Sequence, residues 1–197
     1  MKLSTSILFA LSIAIFASGC ATPRGHQKIP PSKEFRSEYL NVVSPQDDGW
    51  FQQTAAPAGV VFAKSGLAES ESLVAQAVLF KLPETDNNKE FASAVIEGAK
   101  SGSPPERYEI IIFDTKLNNT RPYPCVDIHT LAIDKKALTK SGSREAMQLE
   151  IIAIYCKHPA LETTGFMAGY SHRGYTRYPN ITSESKQFIH GVLVPNH

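Results

Sequence analysis

Apolar and polar positions alternate along much of this chain with the period of two that marks half-buried strands. Residues 50–54 follow the turn signal Asp48-Gly49, residues 60–64 follow Gly59, and residues 72–82 alternate after Ser65-Gly66. Together they predict an antiparallel meander. The period then changes: Phe91, Ala94, Val95 and Ala99 fall on one face of a helix predicted over 89–100. Polar residues 85–88 offer caps for its start, and the Ser, Gly and Pro of 101–105 stop it. Runs rich in β-branched and aromatic residues return at 108–115, 125–134, 146–158 and 165–173, which predicts four more strands. A last helix, predicted over 183–193 and opened by Ile181-Thr182-Ser183-Glu184, carries Phe188, Ile189, Val192 and Leu193 as an apolar stripe. A stripe of that width normally packs on a sheet. The pattern therefore predicts an α+β domain, an antiparallel sheet of six or seven strands with a central and a C-terminal helix packed on it.

The first twenty residues follow a different grammar. Lys2 is cationic, an apolar stretch runs from Ile7 to Phe16, and Ala17, Ser18 and Gly19 precede Cys20. That layout is an export signal, and its apolar stretch of roughly ten residues is too short for a membrane-spanning helix, which needs about twenty. Ala17-Ser18-Gly19-Cys20 resembles the lipobox of bacterial lipoproteins, although Ala17 stands where Leu is commoner. The resemblance implies a diacylglycerol on the Cys20 thiol, cleavage before Cys20 and acylation of the new amine. Two or more acyl chains hold a protein stably at a membrane, where one holds it only marginally. Ala21 is not the Asp that retains many such proteins at the inner membrane, so the resemblance places the chain at the outer membrane, facing the periplasm. The organisation expected is a signal peptide over 1–19, the lipidated Cys20 with a tether to residue 32, and one globular domain over 33–197. The tether reading rests on Pro23, Gly25, Pro30 and Pro31 among few large apolar residues.

Charge and cysteines narrow the picture further. Of 20 Lys and Arg only Lys2 falls in the leader, leaving 19 against 19 Asp and Glu. So even a balance gives no electrostatic case for nucleic acid. With lipid on Cys20, Cys125 and Cys156 remain, an even number in a compartment where disulfides persist. A hairpin folding about the midpoint of Lys140 and Ser141, inside the turn-forming cluster 139–143, sets Cys125 directly opposite Cys156. The same register collects Val126, Ile128, Ala132, Leu149, Ala153 and Tyr155 on one apolar face. It leaves the cysteines with Asp127, His129, Gln148 and Glu150 on the other, as a half-covered face would be. A disulfide is the economical reading; the alternative is a catalytic thiol at Cys156 with His158 as its base.

The order of elements resembles the Mog1/PsbP-like α/β/α sandwich. The features that carry this are Gly49-Trp50 ahead of the first hairpin, the Gly59-Val60-Val61-Phe62 strand, the central helix and the terminal Phe188-Ile189 helix. The layout is also similar to that of uncharacterised lipoproteins of proteobacterial envelopes. Members of the sandwich family act largely as assembly or accessory factors and share no catalytic residues to carry over. Of the remaining motifs, the most unusual is a patch of Tyr170, His172, Arg173, Tyr175, Arg177 and Tyr178, read first as a strand whose alternate residues pack while the rest are solvated, followed by an ordinary loop, and second as a docking surface for an envelope protein or glycan. Arg121-Pro122-Tyr123-Pro124 reads as a stiff loop. No HxxxH, HxH or CxxC spacing occurs, so neither a metal nor any other cofactor is expected. The function expected is a membrane-anchored binding or assembly accessory without catalysis. Its alternatives are an envelope hydrolase built around His172 and Arg173 or Cys156 and His158, and a small-ligand carrier should the sheet's second face be hollow.

Overall fold

The computed structural model describes residues 27–66 and 68–195. The segment expected to be a signal peptide, Cys20 and the part of the expected tether up to residue 26 lie outside the described residues. In chain order the elements are β1 (Gln27–Lys28), β2 (Glu34–Arg36), β3 (Asn41–Val43), β4 (Phe51–Ala56), β5 (Gly59–Ser65), β6 (Ser72–Lys81), α1 (Asn88–Ser101), β7 (Tyr108–Asn118), β8 (Cys125–Leu138), β9 (Arg144–Lys157), β10 (Thr164–Gly174), α2 (Ile181–His190) and β11 (Val192–Leu193).

Two meanders, β4-β5-β6 and β7-β8-β9-β10, lie side by side and join where β10 pairs with β6. The result is an eight-stranded antiparallel sheet in the order β1-β4-β5-β6-β10-β9-β8-β7, with a smaller sheet, β11-β3-β2, beside it. Gly59 turns the first hairpin with φ +146°, and a Cβ there would stand 2.3 Å from the Ala77 carbonyl oxygen, so no other residue fits without moving the strand. α1 crosses from β6 to β7 over one face. Its start is capped as the polar run predicts: Asn87 accepts from the N–H of Lys89 and Glu90, and Glu90 reaches back to the N–H of Asp86. Phe91, Val95 and Ala99 bury against Val126, Ile128, Ala153 and Tyr155, the apolar face of the β8–β9 hairpin. The opposite face carries a second core, in which Phe188 and Ile181 of α2 and Val42 and Val192 of the small sheet meet Phe62, Ala75, Cys125, Ile154, Cys156, Phe166 and Tyr170. The layering is α1, large sheet, then α2 with the small sheet.

The β8–β9 register is the expected one from Cys125↔Cys156 to Asp134↔Met147, and the two sulfurs are bonded. Beyond Asp134 a bulge shifts it by one residue before Ala137 pairs with Glu145. The strand therefore continues past the expected end at residue 134, with Asp134 turned inward and its carboxylate accepting the N–H of Lys136.

Three expectations are corrected. The sheet has eight strands because the tether reading of 20–32 gives way at its end: Gln27–Lys28 pairs with β4, and Ile29 is buried, its N–H donating to the Trp50 carbonyl. A two-residue strand leaves no alternation for the sequence to display. The last helix ends at His190 and not near residue 193, since Val192 and Leu193 pair with β3. The stripe read as helical is thus shared between a helix and a strand that face the same core. α2 also has no side-chain cap from Asn180; Glu184 is used elsewhere.

Candidate functional site

The candidate docking patch does not form one surface. β10 is central, covered on both sides, so Tyr170, His172 and Arg173 are buried. Sequence alternation promised one solvated face; docking of α1 and α2 removed it. Tyr170 donates to Glu184 at 2.5 Å, and Tyr178 donates to the other oxygen of the same carboxylate. Burial first, and then the Glu184 carboxylate, drives the Tyr170 hydroxyl far above the usual phenol range and raises that of Tyr178 to about 12. His172 contacts Glu71 at 2.6 Å and stacks on the Tyr178 ring. On the other face Arg173 lies 3.4 Å from Asp134, which also receives a bidentate pair from Arg107. Tyr175 and Arg177 are the exposed members of the six. Tyr175 donates to Glu145, a hydrogen bond that raises the phenol and lowers the carboxyl. Arg177 clamps the buried Glu150 through two bonds while His129 approaches from the side. Burial alone would raise Glu150, but Arg177 and His129 outweigh it and hold its carboxyl below the ordinary value.

The enzyme alternatives meet the same packing. Cys156 is committed to Cys125, and His158 is buried with its ring facing the Tyr39 carbonyl and the Ala160 N–H. Among the described residues no three His, Cys, Asp or Glu side chains gather as metal ligands would.

What the fold opens instead is a groove of about 770 Å³ beside α2. α2 lies over β10 and β9, leaving the α2 side of β8 and β7 uncovered. Register sets Asp114 opposite His129 and Lys116 opposite Asp127, on the same face as the cysteines. These residues, with Ile152 and Ile154, make the floor; Lys186, Ile189, His190 and Leu193 make the wall. The end is closed by the 119–124 loop, which Arg121 fastens to the end of α2 and to β11 by donating to the carbonyls of Ile189 and Val192, while it also donates to the Tyr123 hydroxyl within the loop. A guanidinium on the last carbonyls of a helix is favoured by the helix dipole as well. Asn118 donates to both oxygens of Asp127, while its own carbonyl accepts the N–H and hydroxyl of Thr120. The loop expected to be merely stiff is a pin between strand and helix.

Sequence reasoning placed Asp127 and His129 on a half-covered face but missed β7 as the rim, because it ended that strand at residue 115. The alternation of Lys116, Leu117 and Asn118 was the available signal. Where α2 would land left no trace in local pattern.

No protein-family model matches the chain, and no curated protein matches it. Among solved structures it is similar to the Ran-binding protein Mog1p of Saccharomyces cerevisiae, at 12% identity and a TM-score of 0.46 over 86% of this chain and 95% of that one. A point mutant of Mog1 matches with the same identity and score over 86% and 96%. Likeness at that level carries nothing about binding, so the groove is read from its own residues.

Proposed function

We propose that this protein is a lipoprotein of the outer membrane, facing the periplasm, that acts without catalysis by holding a segment of another envelope protein in the groove beside α2. The observation that carries the reading is the groove's makeup: an aliphatic floor and wall, Ile152, Ile154, Ile189 and Leu193, next to Lys116, His129, Lys186 and His190. Such a surface combines apolar area with a few fixed polar groups, as binding clefts do. Its frame is stiff, since the disulfide ties the two floor strands and Arg121 ties the end loop to the wall. The lipobox resemblance at Ala17–Cys20 supports the anchoring.

A photo-crosslinking amino acid at Lys186, exposed on the wall, should yield one defined adduct with an envelope protein in intact cells. The same probe at Lys89, exposed at the start of α1, should not, and Leu193→Glu should remove the Lys186 adduct. Equal adducts from both positions, or none from Lys186, would refute the reading. A small-ligand carrier is the second reading, favoured by a volume within the roughly 300–1,000 Å³ of ligand sites; a small molecule co-purifying in native mass spectrometry and lost in Leu193→Glu would select it.

A further inference from the structure

Among the described residues β7 ends the large sheet and is paired on one side only, with β8. It is an eleven-residue strand, and a long free edge with open N–H and C=O groups is a template for another strand. Of the five exposed large hydrophobic residues among the described residues, three belong to it: Ile110, Ile111 and Leu117. We propose that β7 is a self-association surface, two copies of this chain pairing their β7 strands antiparallel about Thr115 to make one continuous sheet.

Charge and register select this occupant and this alignment. Facing residues in an antiparallel pair are either both hydrogen-bonded to each other or both not, which confines the two-fold centre to a residue and excludes a centre between residues. Between residues 112 and 118 the β7–β8 ladder is regular, so the rule applies throughout that stretch. Centring on Asp114 sets Asp against Asp, and centring on Lys116 sets Lys against Lys. A centre at Phe113 faces Asp114 with Ile112. Centring on Thr115 sets Asp114 against Lys116 of the second copy, twice over by symmetry, while Phe113 meets Leu117 on the other face. Opposed charges and aromatic–aliphatic pairs are the contacts that stabilise facing strands. Among the described residues neither Asp114 nor Lys116 has an ion-pair partner within the chain.

The two-fold axis stands perpendicular to the sheet, which keeps both α2 helices on one side. Asp114, Thr115 and Lys116 line the groove, so the two grooves would run together across the join. The opposite edge of the sheet is β1, which holds Gln27, the first described residue. The contact rests on the β7 edge and does not depend on the groove's occupant.

Thr115 is exposed and in this register faces itself, with Cβ atoms about 5 Å apart, close to disulfide reach. The experiment is Thr115→Cys in the full chain, oxidised in intact cells and read on a non-reducing gel, with Lys89→Cys as the collision control. A homodimer band from Thr115→Cys and none from Lys89→Cys is expected. Adding Asp114→Lys should cut the band by about tenfold, because two opposed pairs become like-charged, and adding Lys116→Asp to that variant should restore it. All three positions are exposed, and an intact Cys125–Cys156 bond reports that each variant folds. No homodimer, an adduct only with a different protein, or a band indifferent to the charge changes would each overturn the proposal.

Discussion

Asp134 is a fully buried carboxylate, and its neighbours show what keeps it there. Arg107 donates to both of its oxygens at 3.0 Å and Arg173 sits on a third side. Removing one partner of a buried ion pair costs about 3–5 kcal/mol, chiefly because the other charge is stranded. Asp134→Ala removes the carboxylate that Arg107 and Arg173 both approach, so urea unfolding should show a loss of about 3 kcal/mol; a loss below about 1 kcal/mol would mean the cluster is solvated after all. The same carboxylate and Glu150 make stability depend on acid. Burial would raise both, but Arg107 and Arg173 for Asp134, and Arg177 and His129 for Glu150, hold them below their ordinary values of 3.8 and 4.5. A depressed carboxyl contributes stability that is complete above its unfolded pKa and lost as pH falls through the lower folded one. The thermal midpoint should thus be insensitive to these groups at neutral pH and fall once the pH drops below those ordinary values, with a shallower acid loss in Asp134→Ala.

At the scale of elements the β8–β9 hairpin matters most, since its two faces serve two different cores. The bond from Cys125 to Cys156 spans a separation of 31 residues, which the chain-entropy model values at roughly 3–4 kcal/mol, with measured effects often smaller. Cys125→Ser and Cys156→Ser should lower the thermal midpoint by similar amounts, and the double change should cost little beyond either, because each removes the same bond. Thiol counting on the unfolded, non-reduced protein should find neither cysteine reactive. Two reactive thiols there would contradict the bridge.

The whole molecule has a direction. The sheet's edges are β1, where the N-terminal segment arrives, and β7, seven strand spacings away, or about 34 Å. Gln27 lies seven residues after Cys20, a reach of at most about 25 Å of extended chain. On the anchored reading the lipid is held close to the β1 edge, across the sheet from β7, and two copies joined at β7 reach one membrane with their shared sheet lying along it. Replacing Cys20 with Ser should abolish labelling by fatty-acid precursors and leave an unprocessed or soluble chain; label persisting in that variant would remove the anchor, while leaving the domain's geometry as it is.

Local chemistry determined a great deal of this protein. Period, turn residues and caps located β4 to β10 and α1 within a few residues, and apolar-face matching in the hairpin carried the cysteine register. Both work because the interacting positions are close in sequence, where side-chain alternation leaves few consistent alignments. Tertiary structure alone decided the rest. β1, β2, β3 and β11 have two or three residues each, and strands that short carry no period; β1 and β11 also find partners distant in sequence, as where Val192 pairs with Val42. Whether Tyr170, His172 and Arg173 faced water depended on what covered β10. The groove exists because α2 docks over β10 and β9 and stops short of β8 and β7. Local alternation shows which face of a strand can be covered; how far the covering reaches is settled by long-range packing.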